Sequence, residues 1–160
     1  MNTFARQIIF ATFMVSSLLW THSAQAADPL VGTWKLDVAQ SKFSPGPPPK
    51  STTVTFEPAG DGVKVTADAV GADDKATHTT YTGNYDGKDY PITGSETGAD
   101  TVSLERIDAR TTKRTDKKGG KVVMTFTRKV STDGKMLTVT IKGTNSKGQR
   151  VNNVVVLAKQ

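Results

Sequence analysis

The stretch that decides the fold runs from Gly120 to Gly143 and reads GKVVMTFTRKVSTDGKMLTVTIKG. Apolar residues recur at every second position on both sides of an Asp133-Gly134 pair. They are Val122, Met124 and Phe126 before the pair, and Leu137, Val139 and Ile141 after it. Alternation with a period of two places apolar side chains on one face of a strand, and Asp-Gly is typical of tight hairpin turns. The segment therefore predicts an antiparallel hairpin with one apolar face.

The same pattern extends through the rest of the chain after residue 26. Gly- and Asp-containing turn signals recur every eight to twelve residues or so, which is typical of an all-β sandwich or barrel. Strands are predicted at 31–36, 51–57, 62–68, 75–85, 89–93, 100–107, 110–116, 120–130, 135–143 and 150–159. Closure removes exposed sheet edges, so we expect a single antiparallel up-and-down β-barrel of about 8–10 strands. Side chains need not fill a barrel of this size, which leaves room for a ligand.

Residues 1–26 have the features of a cleavable signal peptide. Arg6 precedes an uncharged, mostly apolar run from Gln7 to Trp20, and Ala24-Gln25-Ala26 forms a small-residue exit. The apolar core of about 13 residues is shorter than the roughly 20 that span a bilayer. We expect cleavage after Ala26, a single lipocalin-like barrel domain at 27–160, and a bacterial periplasmic or secreted protein with no integral membrane segment.

Composition excludes several kinds of site. The chain has no cysteine, which excludes disulfides, Cys-ligated zinc and a thiol nucleophile. Its net charge is +6, and the cations are spread over turns with few aromatic residues between them. Nucleic-acid binding favours a concentrated basic stripe with aromatics for stacking. We therefore expect no nucleic-acid partner, and a monomer.

A proline-rich segment at 41–50, SKFSPGPPPK, interrupts the strand pattern. Proline has no backbone N–H for a sheet ladder, and consecutive prolines favour a stiff extended chain. We interpret the segment as a rigid strap across one end of the barrel. A P-x-x-P docking motif is the alternative interpretation.

The first predicted strand carries Gly32-Thr33-Trp34, a G-x-W element close to the mature N-terminus. In this it resembles the calycin superfamily of lipocalins and fatty-acid-binding proteins. With its stretches SKFSPGPPPK at 41–50 and YDGKDYP at 85–91, the whole chain after residue 26 most closely resembles the bacterial lipocalin-like secreted proteins. The resemblance implies structural roles for Gly32 and Trp34 at the closed barrel end. It also implies that Arg128 corresponds to an arginine that binds a ligand carboxylate. Val155 and Leu157 stand where the fatty-acid-binding proteins carry an Arg-x-Tyr pair, and the proline strap replaces their helical lid.

Two arginines lie on the same predicted strand face as apolar residues. Arg128 follows Met124 and Phe126, and Arg106 follows Val102 and Leu104 in the same alternation. An arginine on an inward face is costly unless it meets an anion, so both are candidate ligand-binding residues. The alternative is that both lie near the barrel ends and reach water, or pair with Asp108 or Glu105.

The other candidate ligand-binding residues are Tyr81, Tyr85, Phe126 and Met124. Tyrosines at strand ends can line a cavity mouth, although they also commonly pack while keeping the hydroxyl in water. His78 is the only histidine after the signal segment, and no nucleophile and acid at triad spacing accompany it. We predict no catalytic residues, no metal site, no cofactor and no enzymatic activity.

These observations predict an exported protein that binds a small lipophilic molecule inside a calycin-like barrel. The alternative is an envelope interaction or inhibitor module that uses its loops and the proline strap. An open interior of several hundred Å³ would favour the first, and a filled interior would favour the second.

Overall fold

The computed structural model describes residues 28–95, 97–145 and 147–160. The predicted signal peptide, residues 1–26, lies outside the described residues. Ten strands follow one another along the chain: β1 Gly32–Lys42, β2 Ser51–Ala59, β3 Gly62–Val70, β4 Ala76–Asn84, β5 Asp86–Thr93, β6 Thr101–Arg106, β7 Thr111–Lys118, β8 Lys121–Val130, β9 Met136–Thr144 and β10 Arg150–Lys159.

The ten strands form one closed antiparallel barrel. Each strand from β2 to β10 pairs with its neighbours in the sequence, and β1 closes the ring by pairing with both β2 and β10. This confirms the predicted all-β, up-and-down barrel. The quoted hairpin is β8 paired with β9, in which Phe126 lies opposite Ile141 and Val130 opposite Leu137.

Trp34 lies at the end of the barrel that we call the closed end, and it is fully buried. Its indole Nε1 donates a hydrogen bond to the backbone oxygen of Leu30 at 2.8 Å, so the short segment before β1 is bound to the core. Gly32 has a φ of 128°, and a Cβ there would lie 2.9 Å from Cε of Lys159. The Lys159 ammonium in turn lies 5.1 Å from the Trp34 ring centroid. The G-x-W element therefore brings the two chain ends of the barrel together.

β1 is longer than the predicted 31–36 because it contains a bulge. Asp37 pairs with Val156 and Lys42 with Val154, so the extra residues bow out between these two pairs. The Asp37 carboxylate accepts hydrogen bonds from the backbone and side chain of Gln40, which also lowers its pKa. Residues in such a bulge do not alternate with a period of two, so the sequence pattern predicted the end of β1 at residue 36, before the observed end at Lys42.

A second irregularity lies at the start of β8, where the residue that faces inward differs from the predicted one. The ladder shifts between Asp116 and Lys117, which pair with Met124 and Val122. Val122 is therefore 59% exposed rather than inward-facing, and Val123 packs against the core in its place. From Met124 onwards the predicted phase is the observed one.

Candidate ligand-binding cavity

A cavity of about 390 Å³ occupies the half of the barrel away from Trp34. Most of its wall is aliphatic or aromatic and comes from the inward faces of β1, β2, β3, β8, β9 and β10. These residues include Leu36, Val54, Phe56, Val65, Phe126, Leu137, Val139, Ile141, Val155 and Leu157. Along β3 the inward residues change from Val65 to Ala67 and Ala69, which widens the space toward the end that we call the open end. This part of the barrel interior is thus an apolar chamber, whereas Trp34, Val102 and Leu104 belong to a packed core outside the cavity wall.

The proline strap forms the wall of this cavity at the open end. Phe43, Pro45, Pro47 and Pro49 all line it, so the extended strap presents every second residue inward. The strap is attached to β10, because the Ser44 backbone N–H donates to Asn153 Oδ1 at 2.7 Å and the Asn152 N–H donates to the Ser44 oxygen at 2.8 Å. Its inward-facing residues therefore belong to the cavity.

Arg128 lines the cavity and is only 5% exposed. Its Nη2 donates a hydrogen bond to the Tyr81 hydroxyl at 2.9 Å, and its Cζ lies 5.3 Å from the Phe56 ring centroid. Within the described part of the chain no carboxylate is in ion-pairing distance of this guanidinium. Arg128 is therefore a buried cation whose nearest partners are a neutral hydroxyl and an aromatic ring.

A buried ion pair on β7 is the feature that sequence reasoning missed. Arg114 lines the cavity and donates from Nε and Nη2 to the two carboxylate oxygens of Asp116, at 2.5 and 2.6 Å. Thr97 Oγ1 donates to the same carboxylate at 2.9 Å. Burial lowers the pKa of Arg114, but Tyr81 and Asp116 raise it by more, so the guanidinium stays charged. Arg114 is thus neutralised by its own strand, whereas Arg128 is not.

The sequence gives little sign of this pair, because β7 reads TTKRTDKK and has no apolar residue. Its inward positions pair with the inward positions of β8: Thr112 with Arg128, Arg114 with Phe126 and Asp116 with Met124. The one available signal is that Arg114 and Asp116 are two residues apart, and so on the same face of a strand.

Arg106 lies at the closed end and does not line the cavity. It pairs with Asp28, not with the predicted Asp108 or Glu105, and its Cζ lies 4.2 Å from the Tyr85 ring centroid. The Tyr85 hydroxyl is buried without a hydrogen-bond partner. Burial, and to a smaller extent Asp28, raises its pKa to about 12. This group attaches the segment before β1 to the barrel, so Arg106 and Tyr85 lie outside the cavity wall. The Tyr85 hydroxyl is nevertheless close enough to Arg128 for that positive charge to lower its pKa, against the larger effect of burial.

The remaining candidate residues lie at different distances from the cavity. Phe126 lines it, with the Arg114 guanidinium 4.4 Å from its ring centroid. Tyr81 is buried and lies outside the cavity wall, but it contacts two residues of that wall. Its hydroxyl accepts a hydrogen bond from Arg128, and its ring centroid lies 4.9 Å from Cζ of Arg114. Met124 is 4% exposed and lies opposite Asp116 and Gly143, outside the cavity wall.

His78 lies on the outer face of β4, where its Nδ1 is 2.6 Å from Oδ1 of Asp68 on β3. The sequence spacing had suggested no acid partner, and cross-strand pairing supplies one. Both side chains are more than 60% exposed, so water competes for each of them. Across the described ranges no three His, Asp or Glu side chains come together to hold a metal ion. The described residues also contain no helix long and apolar enough to cross a membrane.

Comparisons with known proteins find no match in sequence, and the two solved structures given below are of low similarity. No protein-family model matches the sequence, and no curated protein matches it. Among solved structures, zebrafish ileal bile acid-binding protein complexed with cholic acid is 12% identical, with a TM-score of 0.46, over 82% of this chain and 98% of that chain. The siderocalin Ex-FABP is 12% identical, with a TM-score of 0.34, over 82% of this chain and 71% of that chain.

Proposed function

We propose that this protein is an exported binding protein that encloses one small lipophilic anion in its barrel. The observation that carries the proposal is Arg128, a cation without a described counter-charge, in the wall of an otherwise mainly apolar cavity of about 390 Å³. That volume falls in the usual range for small-molecule sites, which combine an apolar wall with a few polar groups.

The energetics of Arg128 favour an anionic ligand. Removing a charge from water costs several kcal/mol or so unless a partner and hydrogen bonds replace the lost hydration. The Tyr81 hydroxyl provides one hydrogen bond, and the guanidinium has further N–H donors in a planar fork that suits a carboxylate. A ligand with an acidic head group would bind these donors, while its apolar body would contact the aliphatic wall.

Export supports the same role but rests on the sequence. The Arg6 start, the apolar run and the Ala24-Gln25-Ala26 exit are those of a signal peptide, and we propose a bacterial periplasmic or secreted location on that basis. Outside the cytoplasm, a sparingly soluble acid would need a carrier that shields its apolar part from water.

A matched pair of ligands tests the proposal. Dodecanoic acid and dodecanol share one chain and differ in the charged head group. We expect the wild type to bind the acid more tightly in calorimetry and to gain thermal stability from it by mass action. Arg128→Leu should weaken the acid by about 1.5–3 kcal/mol, the value of a hydrogen bond to a charged group. It should leave the affinity for the alcohol almost unchanged.

Arg106→Leu is the matched control, because it removes the same charge from a site outside the cavity. It should change neither affinity. Far-UV circular dichroism establishes that both variants are folded, and Arg128→Lys provides a second test that keeps the charge but removes the planar fork. Equal losses for acid and alcohol, or an equal effect of Arg106→Leu, would show that Arg128 has no head-group role. Failure of the wild type to bind either compound would remove the support for a lipophilic ligand.

A further inference from the structure

Six exposed cations lie side by side around part of the open end, and we call them the basic crescent. They come from consecutive positions in the barrel order β1, β10, β9, β8 and β7. They are Lys42, Arg150, Lys147, Lys142, Lys121 and Lys118. None of them forms an ion pair with a carboxylate of the described residues.

Backbone contacts place these residues beside the cavity mouth. The β9–β10 turn precedes Asn152 and Asn153, the residues that hold the proline strap. The β7–β8 turn is bound to the loop before β6, because the Gly119 N–H donates to the Asp100 carboxylate at 2.9 Å. This contact places the Asp100 carboxylate beside the turn between Lys118 and Lys121. On the far side of the mouth, Lys50 and Lys75 are paired with Asp74 and Asp73.

The crescent equals in number the net positive charge of the protein, which is +6. Without Arg6 and Glu96, which lie outside the described residues, the chain has 20 cations and 14 acids. Six of those cations form the crescent, so the 14 that remain are balanced by the 14 acids. Lys35, Lys129 and Lys135 are also exposed and without an ion pair among the described residues, but they lie outside the crescent. A local excess of one sign at one edge of a molecule helps to orient it in the field of an oppositely charged surface.

We propose that the basic crescent docks the open end of the barrel onto an anionic lipid bilayer. Lysine and arginine side chains near such a surface are each attracted to the lipid head groups. Val122, 59% exposed, follows Lys121 directly and can contact the head-group region. Among the described residues no Phe, Tyr or Trp side chain is exposed, and the exposed imidazole of His78 lies on β4, outside the crescent. The crescent therefore lacks the stacking groups of single-strand nucleic-acid sites. Docking in this orientation would direct the cavity mouth toward the membrane.

Vesicle co-sedimentation tests the docking without any ligand, so its outcome is independent of the proposed function. The full chain is expressed and purified, then mixed with vesicles of phosphatidylcholine alone or with roughly one-third phosphatidylglycerol. We expect binding to the anionic vesicles only, and release as salt shortens the screening length from about 10 Å at 0.1 M to about 3 Å at 1 M. Lys118→Gln/Lys121→Gln/Lys147→Gln should weaken binding about 100-fold, from roughly fivefold per cation.

The matched control is Lys35→Gln/Lys129→Gln/Lys135→Gln, which removes three exposed lysines outside the crescent and gives the same net charge. It should weaken vesicle binding only a few-fold. Residues 1–27 are identical in all three proteins, so binding through them would appear equally in each and on neutral vesicles. Equal losses in the two triple variants, no binding to anionic vesicles, or tighter binding to a single-stranded oligonucleotide at the same salt would each overturn the proposal.

Discussion

Replacement of Asp116 by leucine is the sharpest test of how the barrel tolerates charge in its interior. Asp116 is fully buried and accepts hydrogen bonds from Arg114 Nε, Arg114 Nη2 and Thr97 Oγ1. Asp116→Leu removes all three acceptor contacts and leaves Arg114, 7% exposed, without its counter-charge. Breaking a buried pair in this way costs about 3–5 kcal/mol, which is a large part of the stability of a small domain.

The pair as a whole should contribute far less than either single substitution suggests. Arg114→Met/Asp116→Leu replaces both charges with apolar groups of similar size, and such replacements are often neutral or stabilising by about 1–4 kcal/mol. We therefore expect the double variant to be close to the wild type in free energy of unfolding, and Arg114→Met alone to be destabilised. Urea unfolding followed by circular dichroism measures all four corners of the cycle.

The exposed pair of Lys117 with Asp89 is the control, since its atoms are 2.6 Å apart but its side chains are 24% and 41% exposed. Asp89→Ala should cost at most about 1 kcal/mol. The reasoning is refuted if Asp116→Leu also costs no more than this. It is refuted equally if the double variant shows the sum of the two single losses.

Three further predictions concern other parts of the barrel. Trp34→Ala should lower the free energy of unfolding by about 3–5 kcal/mol, and an unchanged denaturation midpoint would contradict its role at the closed end. Gly143→Ala should destabilise by about 1–3 kcal/mol, because its Cβ would lie 2.2 Å from the Val123 oxygen. Gly60→Ala is the comparison in urea unfolding: its φ of +57° strains an alanine backbone, but nothing lies within 4 Å of the added Cβ, so it measures backbone strain without a clash. Tyr85 has a folded-state pKa of about 12, above its ordinary 10.0. The contribution of the protonated Tyr85 hydroxyl to the free energy of unfolding is therefore complete below pH 10 and is lost between pH 10 and 12. The stability difference between wild type and Tyr85→Phe should therefore be constant up to about pH 9 and then change in favour of the variant, and a difference that stays constant to pH 12 would contradict the raised pKa.

The ten strands follow from local chemistry and could be predicted from the sequence. Alternating residues such as those of β9 define an apolar face within one strand, and Asp133-Gly134 defines a turn without reference to the rest of the molecule. Both signals act over a few residues, so they can be recognised in the sequence without knowledge of the tertiary structure. Closure of the barrel follows because an antiparallel meander of this length otherwise leaves two exposed edges.

Tertiary structure decided which of the candidate residues surround the cavity. Arg106 and Arg128 have the same strand phase, yet Arg106 lies at a strand end where Asp28 reaches it, and Arg128 lies deeper beside Tyr81. Phase gives the face of a strand but not the height along the barrel, and height depends on the register of all ten strands. The inward face of β7 was not predicted for a related reason. Arg114 and Asp116 are charged residues that would be read as solvent-exposed, and only the folded structure shows that they form an ion pair with each other inside the barrel.

The basic crescent also exists only in three dimensions. Lys147 lies in the β9–β10 turn, and the other members lie at or near the ends of β1, β7, β8, β9 and β10, so the sequence shows them as scattered cations. The up-and-down topology brings alternate turns to the same end of the barrel, and that places Lys118, Lys121 and Lys147 at one edge. The sequence by itself determined the strands, the turns and the total charge. Only the folded barrel determined where the cavity lies and where that charge is concentrated, because both depend on contacts between residues far apart in the chain.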